Sequence, residues 1–281
     1  RKNLYGKKIG TSDIGWQISP LLNATGRLGV PDVAARLLLS KDPDEQRLLS
    51  DEILELNTKR RKLGDEAWDK VLEGARKSHE ELSGKLVVVG GTDIFRGITG
   101  ILASRLAKYF NAPSIVVAIL DGKAVGSARS VNGIHIKRLL DELADLFIDY
   151  GGHDFAAGFS IELERYDELI RRFGELSADL DEGAEGSVIE IDAELPDKYM
   201  TPRLRDLMDM FEPYGEANPP LSFMVRGARI TEISLIGKRE QNHVRLLIDT
   251  GTSKWPAVFW NAAERVGRDF AKNDQVDVAF R

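Results

Sequence analysis

Three short strings in this 281-residue chain pair glycine or small hydroxyl residues with a cation or an imidazole. The sharpest is Gly151-Gly152-His153-Asp154. Paired glycines let a backbone take positive φ and let a ligand reach bare N–H groups. A histidine beside them can donate to a phosphate oxygen or act as an acid or base. The same string after Tyr150 equally suits a glycine-capped helix end. The second string is Gly126-Ser127-Ala128-Arg129-Ser130. It reads as an anion clamp, with the Arg129 fork supported by the Ser127 and Ser130 hydroxyls, or as a polar strand end with an exposed arginine. The third, Asn23-Ala24-Thr25-Gly26-Arg27, again sets small residues ahead of an arginine.

Metal chemistry finds less support. The chain has four histidines, His79, His135, His153 and His243, none adjacent to another. His79 and His243 lie in polar contexts and His135 at a helix start, so all three read as structural. Asp42-Pro43-Asp44 reads as a helix cap rather than a ligand pair. With no cysteine there is no thiolate site. The expectation is that no metal site is complete within this chain.

The last third holds Arg226, Arg229, Lys238, Arg239, Arg245 and Lys254 on or between candidate strands, with Phe223, Trp255 and Trp260 nearby. Single-strand binders combine a basic groove with aromatic stacking platforms. Arg226, Lys238, Arg245 and Trp255, with Arg96 further upstream, are the candidate nucleic-acid contacts, although the aromatics also suit a core. Strand alternation places Phe223 and Val225 on one face, Met224 and Arg226 on the other.

The elements that would carry these residues follow from periodicity. Residues 1–40 hold the Asn23–Arg27 string and a short helix over Val33–Leu39. Leu49, Ile53, Leu56, Leu63, Ala67 and Val71 recur as one helix face requires, predicting a connector helix within 41–84. Arg60 interrupts that seam. Residues 85–180 alternate strands (85–90, 114–120, 124–128, 158–162) with helices (97–110, 135–150, 164–179), which indicates an α/β domain with a central sheet. Residues 181–187 form an acidic, glycine-rich linker. Residues 188–281 carry short β-like runs (188–195, 221–236, 244–249, 256–260, 275–281) and one helix near 202–211, suggesting a small OB-like barrel. A closed barrel needs more chain than follows Gln275, and the start, Arg1-Lys2-Asn3, reads as the interior of a longer protein.

Bulk properties restrict the function classes. A net charge of −6 argues against a uniformly basic protein, but nucleic-acid binding needs only a local stripe. Asp181–Glu194 holds six carboxylates and no Lys or Arg, whereas Leu221–Arg281 has ten basic against seven acidic residues. No apolar run reaches the roughly 20 residues that cross a bilayer, so no membrane partner is expected. The absence of cysteine fits a reducing, cytoplasmic setting.

Together, and in this order, the three strings resemble those of the DHH phosphoesterases, most closely the RecJ-type single-strand DNA exonucleases. Asn23–Arg27 resembles the family's Asn-Ala-x-Gly-Arg motif. Ser127–Ser130 and Gly151–His153 resemble the Ser-x-Arg-Ser and Gly-Gly-His motifs of the DHH-associated domain, and Phe211–Pro219 resembles the segment opening the OB domain. The resemblance implies that Arg27, Ser127, Arg129 and Ser130 hold a terminal 5′ phosphate. It also implies that Gly151, Gly152 and the catalytic His153 face the scissile phosphate. Ile94-Phe95-Arg96-Gly97 departs from the usual Trp-His-x-Gly, and Arg96 stands as a replacement donor. The implied whole is a 5′-to-3′ single-stranded-DNA exonuclease of DNA repair and recombination, using Mn²⁺ or Mg²⁺ and acting with single-strand-binding protein or other repair proteins. This chain would then be its inactive substrate-binding portion, without the metal-bearing half. The alternatives are a non-catalytic single-strand-binding scaffold and a DHH oligonucleotide or cyclic-dinucleotide phosphodiesterase.

Overall fold

A computed structural model describes residues 4, 6–131, 134–178, 180, 188–237 and 241–281. The chain divides into two compact units, Arg1–Ser187 and Val188–Arg281. The expected 181–187 linker lies outside the described residues.

The first unit begins with α1 (Thr11–Asp13), which runs through a π-helical stretch, Ile14–Ile18, into α2 (Ser19–Arg27). Helix α3 (Pro31–Leu39) precedes the 39-residue α4 (Pro43–Glu81). Asp42 caps α4 by accepting from the Asp44 N–H at 3.0 Å, and proline at the first helical position costs no hydrogen bond there. Leu49, Ile53, Val71 and Ala75 of α4 are buried along one seam.

A five-stranded sheet follows, ordered β1 (Val87–Gly91), β2 (Ser114–Leu120), β3 (Lys123–Arg129), β5 (Ala156–Glu162) and β4 (Phe147–His153). Only the β1–β2 pairing is parallel. It needs a crossover, which a 3₁₀ turn (Arg96–Ile98) and α5 (Thr99–Phe110) supply. Alternation sorts the apolar residues onto two faces. Val87, Val116 and Ala118 pack with α4 and α5. Ile115, Val117, Ala124, Ala128, Ala157, Phe159 and Ile161 pack with α6 (Ile136–Asp141) and α7 (Tyr166–Ala178).

One expectation fails here. The predicted helix over 135–150 ends at Asp141, with a 3₁₀ turn at Ala144–Leu146, and Phe147–His153 is the edge strand β4. The leucine spacing that suggested helix (Leu139, Leu140, Leu143, Leu146) stops at Leu146. Beyond it come Phe147, Ile148 and Tyr150, which favour strands, and two glycines, which favour helix least. Pairing with β5 decides the matter, so Gly151-Gly152 is a stretch of sheet and not a helix cap.

The second unit is a five-stranded sheet ordered β10 (Gln275–Phe280), β7 (Phe223–Ile236), β8 (His243–Asp249) and β9 (Lys254–Phe259), with β6 (Ala193–Glu194) parallel to β7. Register shifts between Val276 and Val278 and between Ile230 and Glu232 mark irregularities that curl the sheet. Of the expected strand over 188–195, only Ala193–Glu194 forms: Val188 and Ile189 are exposed. Helix α8 (Arg203–Asp209) supplies Leu204 to a core of Met200, Val225, Ala228, Ile230 and Ile248.

Candidate phosphate site

Antiparallel register sets the geometry. Arg129 of β3 pairs with Ala156 of β5, and Ala156 pairs in turn with His153 of β4. Directly paired residues in an antiparallel sheet project from the same face. Arg129 and His153 therefore share one face, about 10 Å apart at Cα across a single alanine. Ser127, Gly158 and Gly151 form the next row on that face. Two glycines and an alanine leave a low floor between the arginine and the histidine, and Gly151, Gly152 and His153 are all exposed. Gly152 has φ +150°, and a β-carbon there would lie 2.4 Å from the Ala156 carbonyl oxygen. Only glycine fits that position.

The same face meets the start of α5. A β-carbon at Gly100 would sit 2.9 Å from Arg129 Nη2 and 3.6 Å from Ser127 Oγ, so glycine there leaves the arginine end room beside the helix start. Thr99 Oγ1 donates to the Arg96 carbonyl at 3.0 Å and lies 2.9 Å from Ser127 Oγ. Arg129 Nη1 donates to the carbonyl of Ala128 at 2.7 Å and, more weakly, to that of Ala157 at 3.5 Å. These bonds orient the guanidinium. Burial first, then the positive charge of Arg27, holds it below the ordinary arginine range.

Arg27 arrives from α2. Its carbonyl oxygen would be 1.8 Å from a β-carbon on Gly97, and its Nη1 donates to the Gly97 carbonyl at 3.2 Å. Glycine at 97 thus lets the end of α2 lie directly on the turn before α5. All three strings meet through these contacts. Among the described residues no carboxylate pairs with Arg27 or Arg129.

Other expected residues have different surroundings. The Ser130 hydroxyl donates to the Ile134 carbonyl and its N–H to that of Phe155, so it braces the loop around the His153 hairpin. Arg96 is exposed, without a side-chain partner among the described residues. His135 lies 3.2 Å from Asp154 and stacks on Phe155. His79 packs on Phe110, and His243 Nδ1 accepts the Asn261 N–H.

In the second unit, Arg226 is held by Glu194 at 3.0 Å and Asp277 at 3.3 Å. Trp255 lies partly against the core, its indole N–H buried without a partner among the described residues. Arg245 is exposed, and Lys238 and Arg239 lie outside the described residues. Trp260 is 65% exposed and meets His243 edge-to-face at 4.9 Å. Of Phe223, Trp255 and Trp260 it is the most exposed. We expect Trp260→Ala to weaken single-strand binding by about 5–100-fold with little loss of stability, and Trp255→Ala to lower the unit's melting temperature. Parallel titrations and thermal melts check both.

Comparison with known proteins agrees with this architecture. Residues 83–179 match the DHHA1 domain family and residues 191–281 the RecJ OB domain family. The chain is 32% identical over 267 residues to the single-stranded-DNA-specific exonuclease RecJ of Bacillus subtilis, covering 93% of this chain and 34% of that protein. With the protein of the same name from Escherichia coli it shares 31% over 256 residues, covering 88% and 44%. The crystal structure of RecJ in complex with Mg²⁺ from Thermus thermophilus superposes with a TM-score of 0.78 at 28% identity, over 98% of this chain and 41% of that one. The chain therefore spans between a third and a half of the length of these relatives. With both domain families matched in sequence order and the fold shared throughout, this chain belongs to the RecJ family of DHH phosphoesterases.

Proposed function

We propose that this chain is the substrate-binding portion of a 5′-to-3′ single-stranded-DNA exonuclease. The Arg129–Ala156–His153 register supports that reading most directly. It sets a cationic clamp and an imidazole on one face of one sheet, with glycines between them. Arg27, Ser127 and Arg129 hold the terminal 5′ phosphate. His153 donates to the scissile phosphate and stabilises the charge that develops on it. Hydrolysis in this family of folds calls for divalent ions, and the Thermus relative is a complex with Mg²⁺. Among the described residues no group of three or more His, Cys, Asp or Glu could hold such an ion. We assign the metals, Mn²⁺ or Mg²⁺, to a part of the protein beyond this chain, and expect the chain alone to bind without cutting. The OB unit favours a long strand over a dinucleotide, because a short substrate has no use for a second groove.

The test compares 5′-phosphorylated and 5′-hydroxyl single strands on this chain. A preference of at least about tenfold for the phosphate, from one charge-assisted hydrogen-bond set, is expected. Equal affinity removes the reading. In the full-length protein, His153→Ala should lower turnover by about 100-fold or more while leaving strand affinity within a few-fold.

A further inference from the structure

Helix α4 carries an arginine on its inward face. Leu49, Ile53, Asn57, Val71 and Ala75 of that seam are buried, and Arg60 falls in register with them, one turn after Asn57. Its Nε–H is buried with no hydrogen-bond partner, and no carboxylate among the described residues pairs with its guanidinium. Helix α4 packs against both α2 and the 3₁₀ turn at Arg96–Ile98, the elements that position Arg27. Burial first, then the charges of Arg61 and Arg27, holds the Arg60 guanidinium below the ordinary range. Arg27 acts in the same sense on Arg129. Arg60 and Arg129 thus both sense the charge of Arg27, and among the described residues no carboxylate pairs with any of the three. Arg60 is only partly buried, with its Nε–H closed off from solvent, and holding even a partly desolvated charge beside like charges costs free energy unless an anion completes the group.

We infer that Arg60 is a third guanidinium of the phosphate site and a specificity-determining residue, selecting a doubly charged terminal phosphomonoester over a singly charged internal phosphodiester. The inference rests on the terminal-phosphate reading of Arg27, Ser127 and Arg129. A diester offers one charge to three cations, whereas a monoester offers nearly two near neutral pH. The third arginine therefore matters most for the monoester. The competing account is internal: Asn57 Oδ1, also buried and unpartnered, would take the Arg60 N–H.

Affinities of the 281-residue chain for 5′-phosphorylated and 5′-hydroxyl oligothymidylate decide between them. For Arg60→Gln we expect a loss of about 10–100-fold for the phosphorylated strand and less than about twofold for the hydroxyl strand. The melting temperature should stay unchanged or rise slightly, because a partly buried, unpaired charge is removed. Arg60→Lys, which keeps the charge without the fork, should give a smaller loss of the same selectivity. It also carries the test if the glutamine variant fails to fold. An unchanged phosphate-to-hydroxyl ratio, or an equal loss for both strands, overturns the assignment, as does a lowered melting temperature with the ratio intact. If the unsubstituted chain shows no phosphate preference, the terminal-phosphate reading itself falls. If the preference is present and insensitive to Arg60, only the inference falls.

Discussion

Arg129→Ala is expected to lower the affinity of this chain for a 5′-phosphorylated single strand by about 10–150-fold, the range for one charge-assisted hydrogen-bond set, and to leave a 5′-hydroxyl strand nearly unaffected. The size follows from where the guanidinium sits. It is half-buried against Gly100, anchored by the carbonyls of Ala128 and Ala157, and without a carboxylate partner among the described residues. Little of its ordering cost remains when the phosphate arrives. Stability should hardly fall, because removing Arg129 also relieves its repulsion with Arg27. Ser130→Ala is the internal control: its hydroxyl proton already goes to Ile134, so binding should change by less than about threefold. Fluorescence titration of labelled strands gives both ratios. Equal loss for phosphorylated and hydroxyl strands would make Arg129 a general electrostatic contact and not an end reader.

Gly152→Ala acts on the floor without touching a charge, and its effect falls on folding. The new β-carbon meets the Ala156 carbonyl oxygen at 2.4 Å and the Ala157 Cα at 2.5 Å. Both are backbone atoms of the neighbouring strand, which cannot rotate away. The backbone at φ +150° adds strain of its own. A cost on the order of 3 kcal/mol is expected, or a fall of roughly 6–12 °C in the melting temperature of a unit this size. Because β4 is the edge strand, the damage should be local. Amide exchange should rise over 147–153 and 156–162 while β1 and β2 stay protected. Gly151→Ala, where a β-carbon meets nothing within 4 Å, should be far milder. Similar melting temperatures for the two variants would refute this account of the glycine pair.

By itself the sequence determined the parts. Apolar pattern was enough for α4, β2 and β3: α4 and β3 bury one regular face each, and β2 is a continuous apolar run buried on both faces. The three polar strings were likewise readable as candidate anion ligands, since residue type alone fixes which side chains can donate to phosphate. Tertiary pairing decided the rest. The Gly151-Gly152 pair was open between cap and ligand because local propensity cannot tell an edge strand from the end of a helix; pairing with β5 made it strand and turned His153 toward Arg129. Ser130 looked equivalent to Ser127 until the fold showed where its proton goes. Trp255 and Trp260 were indistinguishable until the fold packed one partly against the second core and left the other exposed. Arg60 read only as an interruption of an apolar seam. Its proximity to Arg27 arises from contacts between elements distant along the chain, and no local pattern encodes the sum of charges that such contacts bring together.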